Sequence, residues 1–188
     1  MRIGGITDYS TIDWHGCVSI VVFFAGCNFR CPYCQNASLI PLDSGFEVSI
    51  EDIGGRIEGM SIFVDSVVIS GGEPLIQPEA LREVCMVAKK YGLKTMIETN
   101  GSKPDVIEEL IKDKLLDYIA LDFKTSPCKY HLVGGEPPFE ALAVLLRYDV
   151  GFEIRTTIGS VATEADLKVI ASIIPKDCKW VHQTERFI

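Results

Sequence analysis

Six short runs of β-branched and apolar residues recur along this chain, and they restrict its fold more than any other feature. They read VSIVVFFAG (18–26), SVVISGG (66–72), LKTMIETNG (93–101), YIALDFK (118–124), FEIRTTI (152–158) and CKWVHQT (178–184). They are near-continuous in apolar character, which is how strands covered on both faces read. Helical patterns fill the gaps: SIEDIGGRIEGM, QPEALREVCMVAKKYG, KPDVIEELIKDKL, PPFEALAVLLRYDVG and TEADLKVIASIIPKD. The second has Pro near its start and Gly just past its end, the usual helix asymmetry. Strands alternating with helices imply a parallel α/β sheet with right-handed crossovers. Six units are too few for a complete eight-unit barrel of roughly 250 residues. The expectation for the 188 residues is one α/β domain over 1–188, either a partial barrel or an open doubly wound sheet.

Both architectures put ligands at the C-terminal ends of the strands. The chemically interesting short motifs fall there. The first strand runs into three cysteines, Cys27, Cys31 and Cys34, in FFAGCNFRCPYCQNASLI (23–40). The second ends in SGGEP (70–74), the third in ETNG (98–101) and the fourth in LDFKT (121–125). The fifth carries Arg155 and Thr156, and the sixth His182 and Gln183. One shared site across the top of the sheet is expected.

The cysteine spacing is C-x3-C-x2-C, with no evident fourth ligand. Four thiolates complete a structural zinc site, and four saturate an ordinary ferredoxin cluster. Three leave a vacancy: a cubane held this way has one iron free for a ligand that is not protein. Thiolate softness favours iron–sulfur or zinc over hard cations. Zinc with His15 or Cys17 as the fourth ligand, and cysteines without a metal role, are the competing readings. Tyr33, between the second and third cysteines, can be packing or a cover for a flat heterocycle. At the next strand end, Gly71 and Gly72 would let a ligand approach the backbone closely, because no Cβ intervenes.

The totals narrow the class. The formal net charge of −8 argues against nucleic acid, whose binders usually carry a basic face. No apolar run reaches the roughly 18 residues that span a bilayer, and MRIGGITDYSTIDWHG lacks the basic-then-apolar order of a secretion signal. The expected location is the cytoplasm, with no membrane partner. Seven cysteines are an odd number in a chain too long to need disulfide staples, so metal or redox chemistry explains the cluster better. Cys17, Cys85, Cys128 and Cys178 stand alone and read as ordinary small residues.

Taken in order, STIDWHGCVSIVVFFAGCNFRCPYCQN, VVISGGEPLIQ, IETNG, YIALDFKT and EIRTTI resemble the radical S-adenosylmethionine enzymes. The likeness runs from about Ser10 to Phe187 and is greatest to the activating proteins of anaerobic ribonucleoside-triphosphate reductase, which are glycyl-radical activating enzymes. YHLVGG (130–135) is similar to a segment of pyruvate formate-lyase activating enzyme. The resemblance implies a partial (βα)6 barrel, a mostly parallel sheet with helices outside. It implies that Cys27, Cys31 and Cys34 hold one 4Fe–4S cluster and that S-adenosylmethionine chelates the open iron. Reduction would split the sulfonium to methionine and a 5′-deoxyadenosyl radical, which takes hydrogen from a glycine of a partner protein. The protein would supply position and shielding. Carried over by position, Gly71, Gly72 and Glu73 would lie at the methionine ammonium and Tyr33 and Asn36 near the adenosine. Glu98, Thr99, Asn100, Asp122 and Lys124 would line the strand ends. Arg155 is the candidate for the methionine carboxylate, since a guanidinium fork suits it, and His182 is a further candidate.

The chain reads Trp14-His15-Gly16-Cys17 where relatives usually read Trp-Pro-Gly-Lys, and Gln35 where His often follows the third cysteine. It has no cysteine-rich insert for further clusters. The expected partner is a glycyl-radical protein, anaerobic ribonucleotide reductase first, with flavodoxin or ferredoxin as reductant. The alternative is a small-molecule radical enzyme of the 7-carboxy-7-deazaguanine synthase type. A non-enzymatic electron-transfer or zinc module leaves the missing fourth ligand unexplained.

Overall fold

In the computed structural model, which describes residues 1–185, all six expected strands form, in one sheet. Phe187, near the end of the resembling stretch, lies outside the described residues. The strands are β1 (Arg2–Ser10), β2 (Ser19–Phe24), β3 (Phe46–Glu47), β4 (Ser66–Gly71), β5 (Lys94–Thr99), β6 (Tyr118–Asp122), β7 (Gly151–Ile158) and β8 (Trp180–Thr184). The helices are α1 (Ile50–Met60), α2 (Pro78–Lys90), α3 (Pro104–Lys112), α4 (Phe139–Leu145) and α5 (Glu164–Ala171). The sheet order is β3-β1-β2-β4-β5-β6-β7-β8, parallel from β2 through β8. This is the open, partial barrel.

Two strands exceed the expectation. β1 pairs antiparallel with both β2 and β3. β1 contains Gly4 and Gly5, and its register slips twice against β2, so it lacks a clean strand pattern. A Cβ on Gly4 would lie 2.3 Å from Leu39, so the glycine lets the segment after the cysteines lie against the strand. β3 is two exposed residues long, too short to leave a pattern.

The apolar runs are explained by packing on both faces. On the helix side, Ile20, Val22, Phe24, Ile69, Ile97, Ile119, Leu121 and Ile154 meet helix residues such as Ile53, Leu81, Ile107, Leu145 and Ile170 in one core. On the inner face, Val21, Val68, Met96 and Ala120 form a smaller cluster under Trp14, Phe23 and Tyr118. The Trp14 and Tyr118 rings lie 5.6 Å apart, so the 11–18 connection fills the lower part of that face. Register then decides which polar residues share the inner face: Ser70, Glu98, Asp122 and Arg155 do.

The return segment after β6 is tied to α5 by a buried carboxylate. Asp166 accepts from Ser126 Oγ (2.5 Å), Lys129 Nζ (2.7 Å) and Thr163 N (2.8 Å). Burial opposes its charge, but the Lys129, Ser126 and Thr163 donors outweigh that and hold the carboxyl well below its usual range. A depressed carboxyl stabilises the fold above its unfolded pKa of about 4 and loses that contribution as pH falls further. Asp166→Asn should therefore cost about 1.5–3 kcal/mol at neutral pH and flatten the acid limb of stability. Urea titrations of both proteins from pH 7 down to 3 read this out. Among the described residues no helix is long and apolar enough to cross a membrane.

Candidate cofactor site at the strand ends

β2 ends at Phe24, and Gly26 turns the chain with φ +85°. Gly26 N donates to Leu39 O (2.7 Å) and Cys27 N to Ile40 O (3.0 Å), which closes residues 26–40 into a loop. Within it Cys34 N donates to Cys31 O (3.1 Å), and Pro32 takes the second position of that turn, where its fixed φ fits. The three thiols are free and half-buried. Burial pushes the Cys31 thiol up to about 11, with Lys124 opposing and Asp122, Cys34 and Cys27 adding. Burial likewise raises Cys27, which also feels Glu73 and Cys34. The three sulfurs are thus within electrostatic reach of one another. Phe29 N–H donates to Cys27 Sγ at 3.4 Å.

Among the described residues no group of three or more His, Cys, Asp or Glu converges as one metal ion requires. A cubane seats each thiolate on a different iron and needs a wider set. The zinc alternative fails on distance. His15 and Cys17 precede β2 and the cysteine loop follows it, and six strand residues span about 20 Å.

The Gly71–Gly72 bend lies directly against this loop. Gly72 N donates to Phe24 O and Glu73 N to Gly26 O, both at 2.8 Å. A Cβ on Gly71 (φ +113°) would lie 2.3 Å from Phe24 O, and one on Gly72 2.0 Å from Gly26 O. Asn36 Nδ2 donates to Gly71 O (3.1 Å), which places Asn36 at the bend. Glu73 follows but turns inward: it is 1% exposed. It accepts from Thr99 Oγ1 (2.7 Å), Asn100 N (2.7 Å) and Leu75 N (3.0 Å), and so ties the end of β5 to the bend. Its side chain braces the site, and only its backbone faces the loop. Thr99 and Asn100 are buried in the same brace. Asn100 Nδ2 continues to Asn28 Oδ1 (3.0 Å), and Asn28 Nδ2 to Ser102 Oγ (2.8 Å).

At the end of β6, Lys124 Nζ pairs with Asp122 at 2.6 Å. Burial works against the ammonium, but Asp122, Tyr33 and Cys31 outweigh it and hold the lysine charged. Tyr33 Oη is buried with no hydrogen-bond partner among the described residues, and burial keeps the phenol protonated. A buried donor without an acceptor costs about 1–3 kcal/mol. This orphan between two of the cysteines and the three thiols form a set that fits a cluster and a small polar ligand, whereas the glycines of the bend make room for the chain's own backbone at Phe24 and Gly26 rather than for a ligand.

Arg155 departs from the sequence expectation. Its guanidinium contacts Glu98, donates to Glu153 Oε1 (2.6 Å) and reaches Asp13 O (3.2 Å), with only 13% of the side chain exposed. Ser70 Oγ donates to the other Glu98 oxygen at 2.6 Å. The fork is occupied by two carboxylates, so Arg155 braces β5 to β7 across the inner face. Arg155→Ala should leave Glu98 and Glu153 underpaired and cost about 3 kcal/mol. The same loss is expected with and without S-adenosylmethionine; scanning calorimetry in both conditions checks this. A mutant with wild-type stability and weakened cofactor binding would restore the carboxylate-binding role.

His182 is not brought to the site. It pairs in register with Thr156, whereas Arg155 pairs with Val181, and successive strand residues point to opposite faces. His182 therefore lies on the helix side, exposed, with its ring edge-on to Trp180 at 4.3 Å. Ser70, Asn28 and Ser102 are contributors that the sequence reading missed, whereas Glu153 is one of the two acids, with Asp122, that the sequence offered as a bracing partner for Arg155. Ser70 and Asn28 lie inside the quoted motifs, and nothing in the sequence marks Ser70 and Glu98 as joined to Glu153 through Arg155.

Compared with known proteins, residues 21–173 match the Radical SAM superfamily. A Methanocaldococcus jannaschii protein assigned by name to the glycyl-radical enzyme activating enzymes is 40% identical over 186 residues, 94% of this chain and 76% of that protein. The pyruvate formate-lyase 1-activating enzyme of Escherichia coli K12 is 33% identical over 142 residues, 71% of this chain. The chain spans 56% of that enzyme's length. Among solved structures, Streptococcus suis SuiB bound to precursor peptide SuiA aligns with TM-score 0.72 at 16% identity, over 88% of this chain and 39% of that one. The native anSMEcpe structure with bound AdoMet aligns with TM-score 0.68 at 18% identity, over 86% and 49%. At these identities the structures speak to the fold.

Proposed function

The chain belongs to the radical SAM superfamily and, within it, to the glycyl-radical activating enzyme family, and from this premise we propose that it takes a hydrogen atom from a glycine of a partner enzyme, with anaerobic ribonucleotide reductase the first candidate. The observation that carries the reading is the set of three free thiols on one loop, hydrogen-bonded through Gly72 and Glu73 to a bend that leaves no room for a Cβ. Cys27, Cys31 and Cys34 hold the cluster, and the Gly71–Gly72 bend, held against their loop by the Gly72 and Glu73 N–H groups, forms the floor beside the amino-acid end of S-adenosylmethionine. When bound and reduced, the cluster supplies the electron that divides the sulfonium into methionine and a 5′-deoxyadenosyl radical.

The chain's own residues hold, orient and exclude water. Glu73 keeps the ends of β4 and β5 together. The Asp122–Lys124 pair puts opposite charges beside Cys31 and Tyr33, where a zwitterionic ligand finds partners for both ends. Tyr33 Oη offers a hydrogen bond that no group among the described residues takes. The inner-face polar groups already satisfy one another through Arg155, which supports a protein glycine, with little polarity to read, over a polar small substrate. A flavodoxin or ferredoxin serves as reductant in this reading, and residues 1–188 act as one domain.

The test is anaerobic reconstitution followed by electron paramagnetic resonance with S-adenosylmethionine, a reductant and the glycyl-radical subunit. A protein-based glycyl doublet should grow on the partner. Turnover of a purine-like substrate with no doublet on any glycyl-radical subunit would favour the small-molecule alternative.

A further inference from the structure

The segment Tyr130–Gly135 takes no part in the site described above, yet it grips the cysteine loop between its first two cysteines. Phe29, between Cys27 and Cys31, is 4% exposed although Asn28 and Arg30 on either side are exposed. Its ring fills a slot made by Tyr130 and Gly135. The Tyr130 ring stands edge-on to it at 6.5 Å, and a Cβ on Gly135 would lie 2.1 Å from Phe29 Cε1 and Cζ. Only glycine leaves that space. Beside the slot Arg30 N donates to Val133 O at 2.7 Å. The Arg30 guanidinium folds back to donate to Cys27 O (2.7 Å) and Phe29 O (2.8 Å). The slot is itself anchored to the other side of the site: Tyr130 Oη accepts from Lys124 N (2.9 Å), and the Tyr130 ring meets Phe123 at 6.0 Å. Phe29 is also the residue whose N–H reaches Cys27 Sγ.

We propose that Tyr130–Gly135 is a clamp that seats Phe29 and thereby fixes the Cys27–Cys34 loop, with Gly135, Tyr130 and Phe29 as positioning residues for the cluster. The clamp rests on the reading of the three cysteines as cluster ligands. Two effects follow from one contact. The loop is pinned midway between its first two cysteines, so their sulfurs stay in place when the cluster is absent. The Phe29 N–H is also kept on Cys27 Sγ, where a donor to a ligating sulfur stabilises the thiolate and tunes the cluster potential. A methyl on Gly135 pushes the ring out and loosens both.

The experiment reconstitutes wild type, Gly135→Ala, Phe29→Leu and the double variant anaerobically. It measures iron and sulfide content, the rate of iron loss to a chelator, and the midpoint potential by redox titration. Loss of groups that orient metal ligands typically costs 10- to 100-fold in metal affinity. Gly135→Ala should accordingly release iron about 10- to 100-fold faster than wild type and shift the potential. The double variant should recover much of the retention, because the shorter leucine side chain in place of Phe29 makes room for the new methyl. If Gly135→Ala does not fold, Phe29→Leu alone, with an underfilled slot, should still release iron faster. Release rate and potential equal to wild type in the folded variants would overturn the clamp, even if their melting temperatures fell. Failure of the wild type to take up about four irons would instead overturn the cluster reading beneath it.

Discussion

Replacing Cys27, Cys31 or Cys34 with alanine should abolish reductive cleavage of S-adenosylmethionine, each one alone. The three thiols have distinct places on the loop: Cys27 is held at its start by the Ile40 carbonyl, and Cys31 and Cys34 stand at the two ends of the Pro32 turn. No other cysteine can substitute. Cys17 lies a strand length away, Cys85 is buried in α2 within the helix-side core, Cys128 is exposed, and Cys178 precedes β8, at the N-terminal end of its strand. Cys85→Ala, Cys128→Ala and Cys178→Ala should keep cleavage near wild type, with Cys85→Ala losing about 1 kcal/mol or more of stability to the small cavity. Chromatography of 5′-deoxyadenosine after dithionite reduction, beside iron analysis, separates the two groups. Cleavage surviving in a Cys31→Ala protein would contradict the assignment.

The second large effect is expected at Glu73. Its carboxylate is the acceptor for three donors from two elements, all inside the protein. Glu73→Ala strands the Asn100 and Leu75 N–H groups and the Thr99 hydroxyl, at about 1–3 kcal/mol each where no water reaches. A total of about 3 kcal/mol or more lowers the melting temperature by roughly 6–12 °C in a chain of this length. The Gly71–Gly72 bend loses its support in the same step, so S-adenosylmethionine binding should fall as well. Burial raises the Glu73 carboxyl to about 7 against its three donors. The sign is opposite to that of Asp166. A raised carboxyl holds its proton longer in the folded state, so stability declines as pH climbs from about 4.5 to about 7. Glu73→Gln should remove that decline and keep part of the brace. Urea titrations across pH 4–8 test both statements, and an unchanged slope in Glu73→Gln would refute the buried-charge explanation.

The parallel strands and their helices were legible because sheet burial on two faces leaves unbroken apolar runs, and each run ended at its strand's end or within two residues beyond it. β1 was not, since Gly4 and Gly5 interrupt its pattern and two register slips break its alternation. At the site, the meeting of the cysteine loop and the Gly71–Gly72 bend was readable from spacing, because it depends on local chain geometry at two neighbouring strand ends. The facing of strand residues was not. His182 and Gln183 are equally polar neighbours in the sequence, and a register offset of one decides which of them shares the face of Arg155. Arg155 itself was found at its strand end, but its partners are Glu98, two strands away, and Glu153 on its own strand. No local pattern shows that its fork is already filled. Glu73 illustrates the same limit: the motif marked the position, and only the packing of β5 against the bend turned its carboxylate inward.

The central claim is that a hydrogen atom passes from a protein glycine to the adenosyl group in this site. It is tested most directly by supplying a glycyl-radical subunit grown on α-deuterated glycine to the reconstituted, reduced protein with S-adenosylmethionine. Mass spectrometry of the 5′-deoxyadenosine should show deuterium incorporated in step with the glycyl signal. Unlabelled 5′-deoxyadenosine formed at full rate, with no radical on the partner, would contradict the account.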